Sequence, residues 1–345
     1  MELKHSGFPA IAAVSQGIHR PLWSVMIPTY NCNKYLVRTL KSVLEQAPSP
    51  ELMQIEVIDN CSTQDDPEAL VRDLGRGRVS FYRQSQNMGI IGNFNTCVER
   101  STGLIVHILH CDDIVLPGFY KILQEAFDKE PTIGAAFCRS IYINEDDVEI
   151  GLSPLSRTTS GVFPDLLERI ASSHLIESPA FVVRRSVYEQ LGGYHPDLFH
   201  AADTEIYVRV ASHYPVWYEP ALLANYRKHS SSYTSTLFKS GANIANVRRA
   251  IEISESYLPN AIATKLREFE AVNAFRTVCW RLVQLDLSTA SIHLREAFKC
   301  SHSFRVIGKM FLFLVVFLIE GGVRRRQKTL ANVMSHKKKK HPVNL

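Results

Sequence analysis

At 345 residues the chain is long for one minimal domain and short for three, given roughly 150 residues per domain. Hydrophobic residues at 46% and charged residues at 21% exclude a disordered, collagen-like or polytopic membrane chain. The net charge of +5 sits at one end: residues 301–345 hold ten Lys or Arg against Glu320, a net +9, leaving −4 for the first 300 residues.

Residues 1–20 read as a loose leader without a signal peptide, because no charged segment precedes a long apolar stretch. Ser24 to Ile27 is an apolar run that stops at Pro28-Thr29-Tyr30-Asn31, which suits a buried parallel strand. Leu36, Leu40, Val43 and Leu44 recur at helical spacing. A second strand, Ile55 to Ile58, ends at Asp59-Asn60, and a helix follows from Pro67 to Leu74. Val79 to Tyr82 is a third strand, Asn87 to Gly92 a turn, and Asn93 to Arg100 a helix. Leu104 to Leu109 is a fourth strand running into His110-Cys111-Asp112-Asp113. Strands and helices that alternate, with polar clusters at the strands' C-terminal ends, predict a doubly wound α/β sheet whose ligands bind beyond those ends.

The second stretch is mixed. Tyr120 to Phe127 and Thr204 to Ala211 read as helices; Ile133 to Phe137, Ser140 to Ile143 and Phe181 to Val183 read as strands. Asp146-Asp147 marks a hairpin turn and Gly192-Gly193-Tyr194 another turn. Residues 238–300 carry long helical patterns. The seven cysteines are scattered and none forms CxxC, so they read as reduced thiols of a cytoplasmic protein rather than a zinc or redox motif.

Asp112-Asp113 is the most informative pair. Adjacent carboxylates at a strand end repel unless solvated or bound to a cation. A hard ion such as Mg²⁺ or Mn²⁺ takes one or two such carboxylates together with phosphate oxygens. No GxGxxG follows the first strand and no P-loop is present, so a nucleotide here is held by side chains and metal rather than by a glycine cradle.

Taken together, SVMIPTYN (24–31), IEVIDNCST (55–63), Asn87-Met88-Gly89 and LHCDD (109–113) resemble the family-2 glycosyltransferases of the GT-A fold. Gly192-Gly193-Tyr194, Ala202-Asp203-Thr204-Glu205 and Tyr226-Arg227-Lys228-His229 extend the likeness over residues 22–237. The resemblance implies a Rossmann-like mixed sheet flanked by helices, with a C-terminal helical region beyond it. It implies inverting transfer of a sugar from a nucleoside diphosphate sugar to a lipid-linked or saccharide hydroxyl acceptor. By position, Pro28 and Tyr30 flank the base, with Asn31 beside them, and Asp59 and Asn60 contact base and ribose. Asn87 and Asn93 are candidates to contact the diphosphate, with turn and helix-cap roles explaining them equally well, and Asp112 meets the ribose or sugar. Asp113 binds the metal, His229 is a further metal or diphosphate ligand, and Asp203 is the general base. The first acid of the usual metal motif is replaced by His110, which leaves metal dependence open. The acid usually preceding the base is replaced by Ala202, which makes Glu205 a rival base.

The chain divides into the leader (1–20), a transferase domain (21–237), a helical region (238–323) and a basic tail (324–345). Met310 to Ile319 is too short to span a bilayer, which takes about 20 apolar residues. Beside Arg324 to Arg326 and Lys337 to Lys340 it suits a helix lying on an anionic leaflet, which places the enzyme at the inner face of a plasma membrane. An acidic body argues against nucleic acid, whose binding needs a basic stripe on the fold itself. The work expected is assembly of a bacterial cell-surface polysaccharide. Two rivals are a sugar-nucleotide pyrophosphorylase, which would need a Gly-rich basic loop where Pro28 to Lys34 stand, and a catalytically inactive nucleotide-sugar-binding module. Loss of transfer with nucleotide binding intact would separate the transferase from the binding module.

Overall fold

The computed structural model describes residues 7–229 and 237–319. The first apolar run forms β1 (Trp23–Thr29), and all seven residues are buried, so both faces of the strand are covered. That is the state of a parallel strand with helices on each side. β2 (Met53–Asp59) pairs with it in parallel, bringing Thr29 opposite Asp59. β4 (Ile105–Ile108) lies parallel on its other flank, and β3 (Ser80–Arg83) lies parallel outside β2.

Beyond β4 come β9 (Phe181–Arg184), β6 (Ala135–Ile143), β10 (Val216–Arg227) and β5 (Ile114–Val115), which completes the order β3-β2-β1-β4-β9-β6-β10-β5. β9 runs antiparallel to both β4 and β6, and β10 runs parallel to β6. β7 (Glu149–Leu152) forms the hairpin with β6, and β8 (Gly161–Val162) pairs with β10. The sheet is therefore mixed. Its six parallel strands end together at Thr29, Asp59, Arg83, Ile108, Ile143 and Arg227.

Strand residues alternate between two cores. Val25, Ile27, Ile55 and Val57 face one layer with α1 (Asn33–Leu44), α2 (Pro67–Gly75) and α4 (Phe119–Lys129). Met26 and Ile58 face the other, with α3 (Gly89–Arg100), α5 (Leu166–Ile170), α6 (Arg185–Leu191) and α7 (Ala202–His213). The helical region contributes α8 (Ala242–Ser254), which packs on α7, and the hairpin of α9 (Asn260–Val283) with α10 (Leu287–Cys300). Residues 304–319 are helical too, and Val306 and Met310 join Ala271, Ala274 and Ala297 in a separate small core. Among the described residues no helix is long and apolar enough to cross a membrane. The basic tail at 324–345 lies outside them.

Three details differ from the expectation. α3 begins at Gly89, inside the expected Asn87–Gly92 turn. The Asn60 Oδ1 accepts from the Met88 N–H and the Asn87 Oδ1 from the Gly89 N–H, so side chains satisfy amides that a helix start leaves open. β6 is one strand where two were expected, because Cys138 and Arg139 stay in the ladder and the Arg139 guanidinium donates to the Ser153 carbonyl of its hairpin. In the leader, residues 7–20 carry no helix or strand, yet Ile11 is buried and the Pro9 carbonyl accepts from the Gly193 N–H. All seven cysteines are free thiols.

His107 of β4 is fully buried, stacked on Phe119, with Nε2 at 3.1 Å from the Pro179 carbonyl. Burial lowers its pKa to about 3, against a partial opposing effect of that carbonyl. The unfolded chain therefore binds a proton there that the folded chain refuses. Stability should fall as pH drops below about 6.5, at up to about 1.4 kcal/mol per pH unit from this group. Denaturant titrations of the protein and of His107→Phe between pH 8 and 4 check it: the difference between the two in how stability changes with pH should vanish above pH 7.

Candidate active site

Each parallel strand delivers a polar group to the common edge. At the tip of β1, Asn31 adopts a left-handed conformation (φ 49°), which Asn tolerates better than most residues. Its Oδ1 accepts from the N–H groups of Thr63 and Gln64, while its own N–H donates to the Ser62 Oγ. Tyr30 beside it is 45% exposed, and Pro28 is buried within the strand. At the tip of β2 the Asp59 carboxylate is fully buried, accepting from the Ser62 N–H and Oγ–H and pairing with the Arg83 guanidinium at 3.4 Å. Asn60 spends its amide on Met88, Asn87 and Gly89. Asn93 is equally committed, donating to the Ile58 carbonyl at 3.0 Å. These residues shape the loops of the cleft; Asn93 ties α3 to the sheet.

Past β4 the His110–Asp113 loop carries the densest chemistry. The His110 ring stacks on Phe94 at 5.0 Å, and its Nδ1 lies 3.3 Å from the Ser178 Oγ. Thr39 of α1 supports the loop from beneath, donating to the carbonyls of Cys111 and Asp113 at 2.8 and 2.7 Å. The Asp113 Oδ1 accepts from the Arg227 backbone N–H at 2.9 Å, while its Oδ2 is buried without a hydrogen-bond partner. Burial and the neighbouring Asp112 charge push the Asp113 carboxyl well above the usual range. Burial acts the same way on Asp112, but a 3.1 Å hydrogen bond to the His229 Nε2, with the charges of His110 and His229, outweighs it and lowers the carboxyl.

Potential ligand atoms of His110, Asp112 and Asp113 lie within 4.8 Å of one another. An orphaned carboxylate oxygen in a set of one imidazole and two carboxylates is what a divalent cation would satisfy. The residues fit such an ion. His229 reaches the site as the partner of Asp112 and packs at 4.9 Å from the Tyr35 ring.

Arg227 closes this corner. Its Nε donates to the Asp112 carbonyl, and one terminal nitrogen reaches both the Asn144 carbonyl and the Asp147 carboxylate at 2.8 and 2.6 Å. Its plane lies 4.7 Å over the Tyr35 ring. The sequence pattern included Arg227 only as a spacer, yet it joins β10, the β6–β7 hairpin and the acidic loop.

Asp203 stands in the first turn of α7, half-buried in a small hollow with Ser178, Tyr188, Tyr194 and Tyr207. Among the described residues nothing hydrogen-bonds its carboxylate. Burial raises its pKa, and the charge of His110 opposes that, which places Asp203 in the same electrostatic environment as the acidic loop. Glu205 is different in kind. It is 1% exposed, and both oxygens receive the Arg209 guanidinium at 2.9 and 3.1 Å, with the Tyr257 hydroxyl donating at 2.7 Å. Arg209 in turn donates to the carbonyls of Leu191, Gly192 and Gly193. The Gly-Gly-Tyr turn is thus held by the Glu205–Arg209 pair. A Cβ on Gly193 would meet the Asn95 Oδ1 at 2.4 Å, the same oxygen that accepts from the Tyr194 N–H.

Two further residues at the edge carried no sequence signal. Glu177 precedes β9 and accepts from the Tyr142 hydroxyl at 2.7 Å; burial raises its carboxyl. Asn246 of α8 accepts from the N–H groups of His200 and Ala201, which steadies the start of α7. The Glu205–Arg209 pair did have a signal, opposite charges four positions apart on a predicted helix.

This edge decides what the likenesses mean. Residues 24–192 match the family model described as Glycosyl transferase family 2. The chain is a family-2 glycosyltransferase. Among curated relatives, an uncharacterized protein of Mycobacterium tuberculosis, MT1568, is 26% identical over 73% of this chain and 82% of its own length. The chondroitin synthase of Escherichia coli is 30% identical over 36% of this chain, but only 18% of that longer protein is covered. Among solved structures, S. aureus TarS 1-349 in complex with UDP-GlcNAc superposes with a TM-score of 0.65 at 17% identity, covering 82% of each chain. The mannosyltransferase PcManGT from Pyrobaculum calidifontis, in complex with GDP-Man and Mn²⁺, gives 0.57 at 17% identity over 89% of this chain and 83% of that one. At such identities these neighbours establish the fold, which is the GT-A arrangement.

Breaking a buried ion pair by removing one charge typically costs about 3–5 kcal/mol. Glu205→Gln should therefore lower unfolding stability by about 3 kcal/mol in denaturant titration. An unchanged midpoint would show that Glu205 is not the structural anchor described.

Proposed function

We propose that the enzyme transfers a sugar from a nucleoside diphosphate sugar to a hydroxyl group with inversion, with Asp203 as general base. The observation that carries this reading is Asp203 itself, a carboxylate without a hydrogen-bond partner among the described residues, beside the His110–Asp113 loop. The acceptor oxygen bonds to the anomeric carbon as the bond to the diphosphate breaks on the opposite face, and the hydroxyl proton passes to Asp203. Glu205 is unsuited to that role, since its oxygens are occupied by Arg209 and Tyr257.

His110, Asp112 and Asp113 would hold a Mg²⁺ or Mn²⁺ ion, which supplies positive charge to the departing diphosphate. His229 orients Asp112 from behind, as outer partners of metal ligands do. Tyr30 offers an exposed ring to the base at the end of β1. Pro28 and Asn31 fix the loop that presents it, and Asp59, Asn60 and Asn87 act through the loops they tie together. The donor-side reading draws support from the UDP-GlcNAc and GDP-Man of the two fold neighbours, and a polysaccharide role from the chondroitin synthase match.

Asp203→Asn should keep nucleotide binding within about twofold of the parent while transfer falls at least about 100-fold, the usual loss for a general base. Calorimetric titration of UDP and GDP, with and without Mn²⁺, alongside a product assay checks both halves. Undiminished turnover would sink the base assignment, and loss of nucleotide binding would make Asp203 structural.

Work at the inner face of a plasma membrane, on a cell-surface polysaccharide, completes the proposal. Phe304, Phe311, Leu312, Leu318 and Ile319 are all more than 60% exposed on the helical segment 304–319, alongside Arg305 and Lys309. Together with the basic residues of 324–345 they suit an anionic leaflet. The full chain should float with phosphatidylglycerol vesicles and not with phosphatidylcholine ones, and a Phe311→Ser, Leu312→Ser variant should lose most of that binding. Equal flotation with both lipids, or none, would refute the leaflet assignment.

A further inference from the structure

Away from the catalytic edge, a groove of about 630 Å³ lies between α9, the helical residues 304–319 and the loop that follows α5. That volume is in the range of small-ligand sites. Four cations line it, Lys265, Arg276, Arg305 and Lys309, against one acid, Glu268. Glu268 is buried and holds two of them in place, with Lys309 Nζ at 3.4 Å and Arg305 Nε at 3.8 Å from the same carboxylate oxygen. Arg276 is exposed and meets no carboxylate among the described residues; its guanidinium lies 5.4 Å from the Phe313 ring centre. Phe269 and Val272 add apolar lining.

We propose that this groove binds a phosphate or diphosphate group carried by the acceptor. Lys265 is paired with Glu168 at 3.1 Å and Glu268 is shared by Arg305 and Lys309, so two positive charges, that of Arg276 among them, stay uncompensated in the hollow. Arginine and lysine heads gathered on an apolar surface are the chemistry that captures a phosphate ester on an organic body. The apolar residues offered above to a leaflet, Phe311, Leu312, Leu318 and Ile319, are not in the lining of the groove, which takes Arg305 and Lys309 from the same segment. The groove also connects to the catalytic edge through one short loop. His174, in the lining, is hydrogen-bonded to Asn273 of α9, and four residues later Ser178 lies 3.3 Å from the His110 ring. An acceptor anchored in the groove would therefore be bound by the segment that also borders Asp203. The identity of the ligand as acceptor rests on the transferase reading; the binding of a phosphate group does not.

The test uses the full chain and inorganic pyrophosphate, titrated calorimetrically without added divalent ion and with UDP or GDP at saturation to occupy the donor site. The expected result is one pyrophosphate site that persists under nucleotide and weakens at least tenfold in Arg276→Gln, Lys309→Gln, with nucleotide affinity unchanged. Absence of that site, its complete displacement by nucleotide, or equal affinity in the variant would overturn the proposal. Arg276→Gln alone, a change at an exposed side chain, supplies the same readout if the double variant fails to fold. Phosphatidylglycerol vesicles form the second arm: if the substitutions abolish vesicle binding and leave pyrophosphate binding intact, the groove is a lipid contact and the proposal fails. Should neither UDP nor GDP bind, the transferase reading suffers, and the pyrophosphate titration alone then decides the groove.

Discussion

The active edge depends on the way Arg227 and Asp113 meet. A buried carboxylate accepts the backbone N–H at the end of β10, while the arginine side chain reaches over the acidic loop to the β6–β7 hairpin. Three segments far apart in the chain are fixed by one residue. Such a buried charged cluster is costly to desolvate, and it persists because nearly every polar atom in it is matched. The unmatched ones, the Asp113 Oδ2 and one Arg227 nitrogen, lie at this same corner.

Around that corner the acids differ by their partners. Asp59, Glu205 and Glu56 are buried and paired with arginine, and they hold loops or helices. Asp203 and Asp113 are left with free capacity, and burial pushes both carboxyls upward. The same residue type thus serves two purposes, and exposure alone would not tell them apart. Partnership does.

Much of this was readable from the chain. Strands buried on both faces announce themselves as unbroken apolar runs, and the polar residues that stop them mark the catalytic edge, as at Thr29, Asp59 and His110. The acidic pair at 112–113 and the helix that begins near Asp203 were legible for the same reason. What stayed hidden depends on contacts distant in sequence. Nothing near Asn60 says that its side chain starts α3, and nothing near Glu177 says that it meets Tyr142. The partners of Asn93 and Glu205, the Ile58 carbonyl and the Arg209 guanidinium, likewise become visible only in the fold. The groove that faces α9 depends on how the C-terminal helices fold back, which periodicity does not encode.

The bracing of α7 has a consequence for where the working unit stops. The family match ends at residue 192, ten residues before the helix that carries Asp203 begins. That helix is gripped by Asn246 and Tyr257, both in segments the family model does not reach. A fragment cut at the recognisable border would keep the tips of β1, β2 and β4 and the acidic loop and lose α7. The C-terminal helices thus brace the helix that carries Asp203, and a change in that region would move α7 against the sheet without altering a residue at the strand tips.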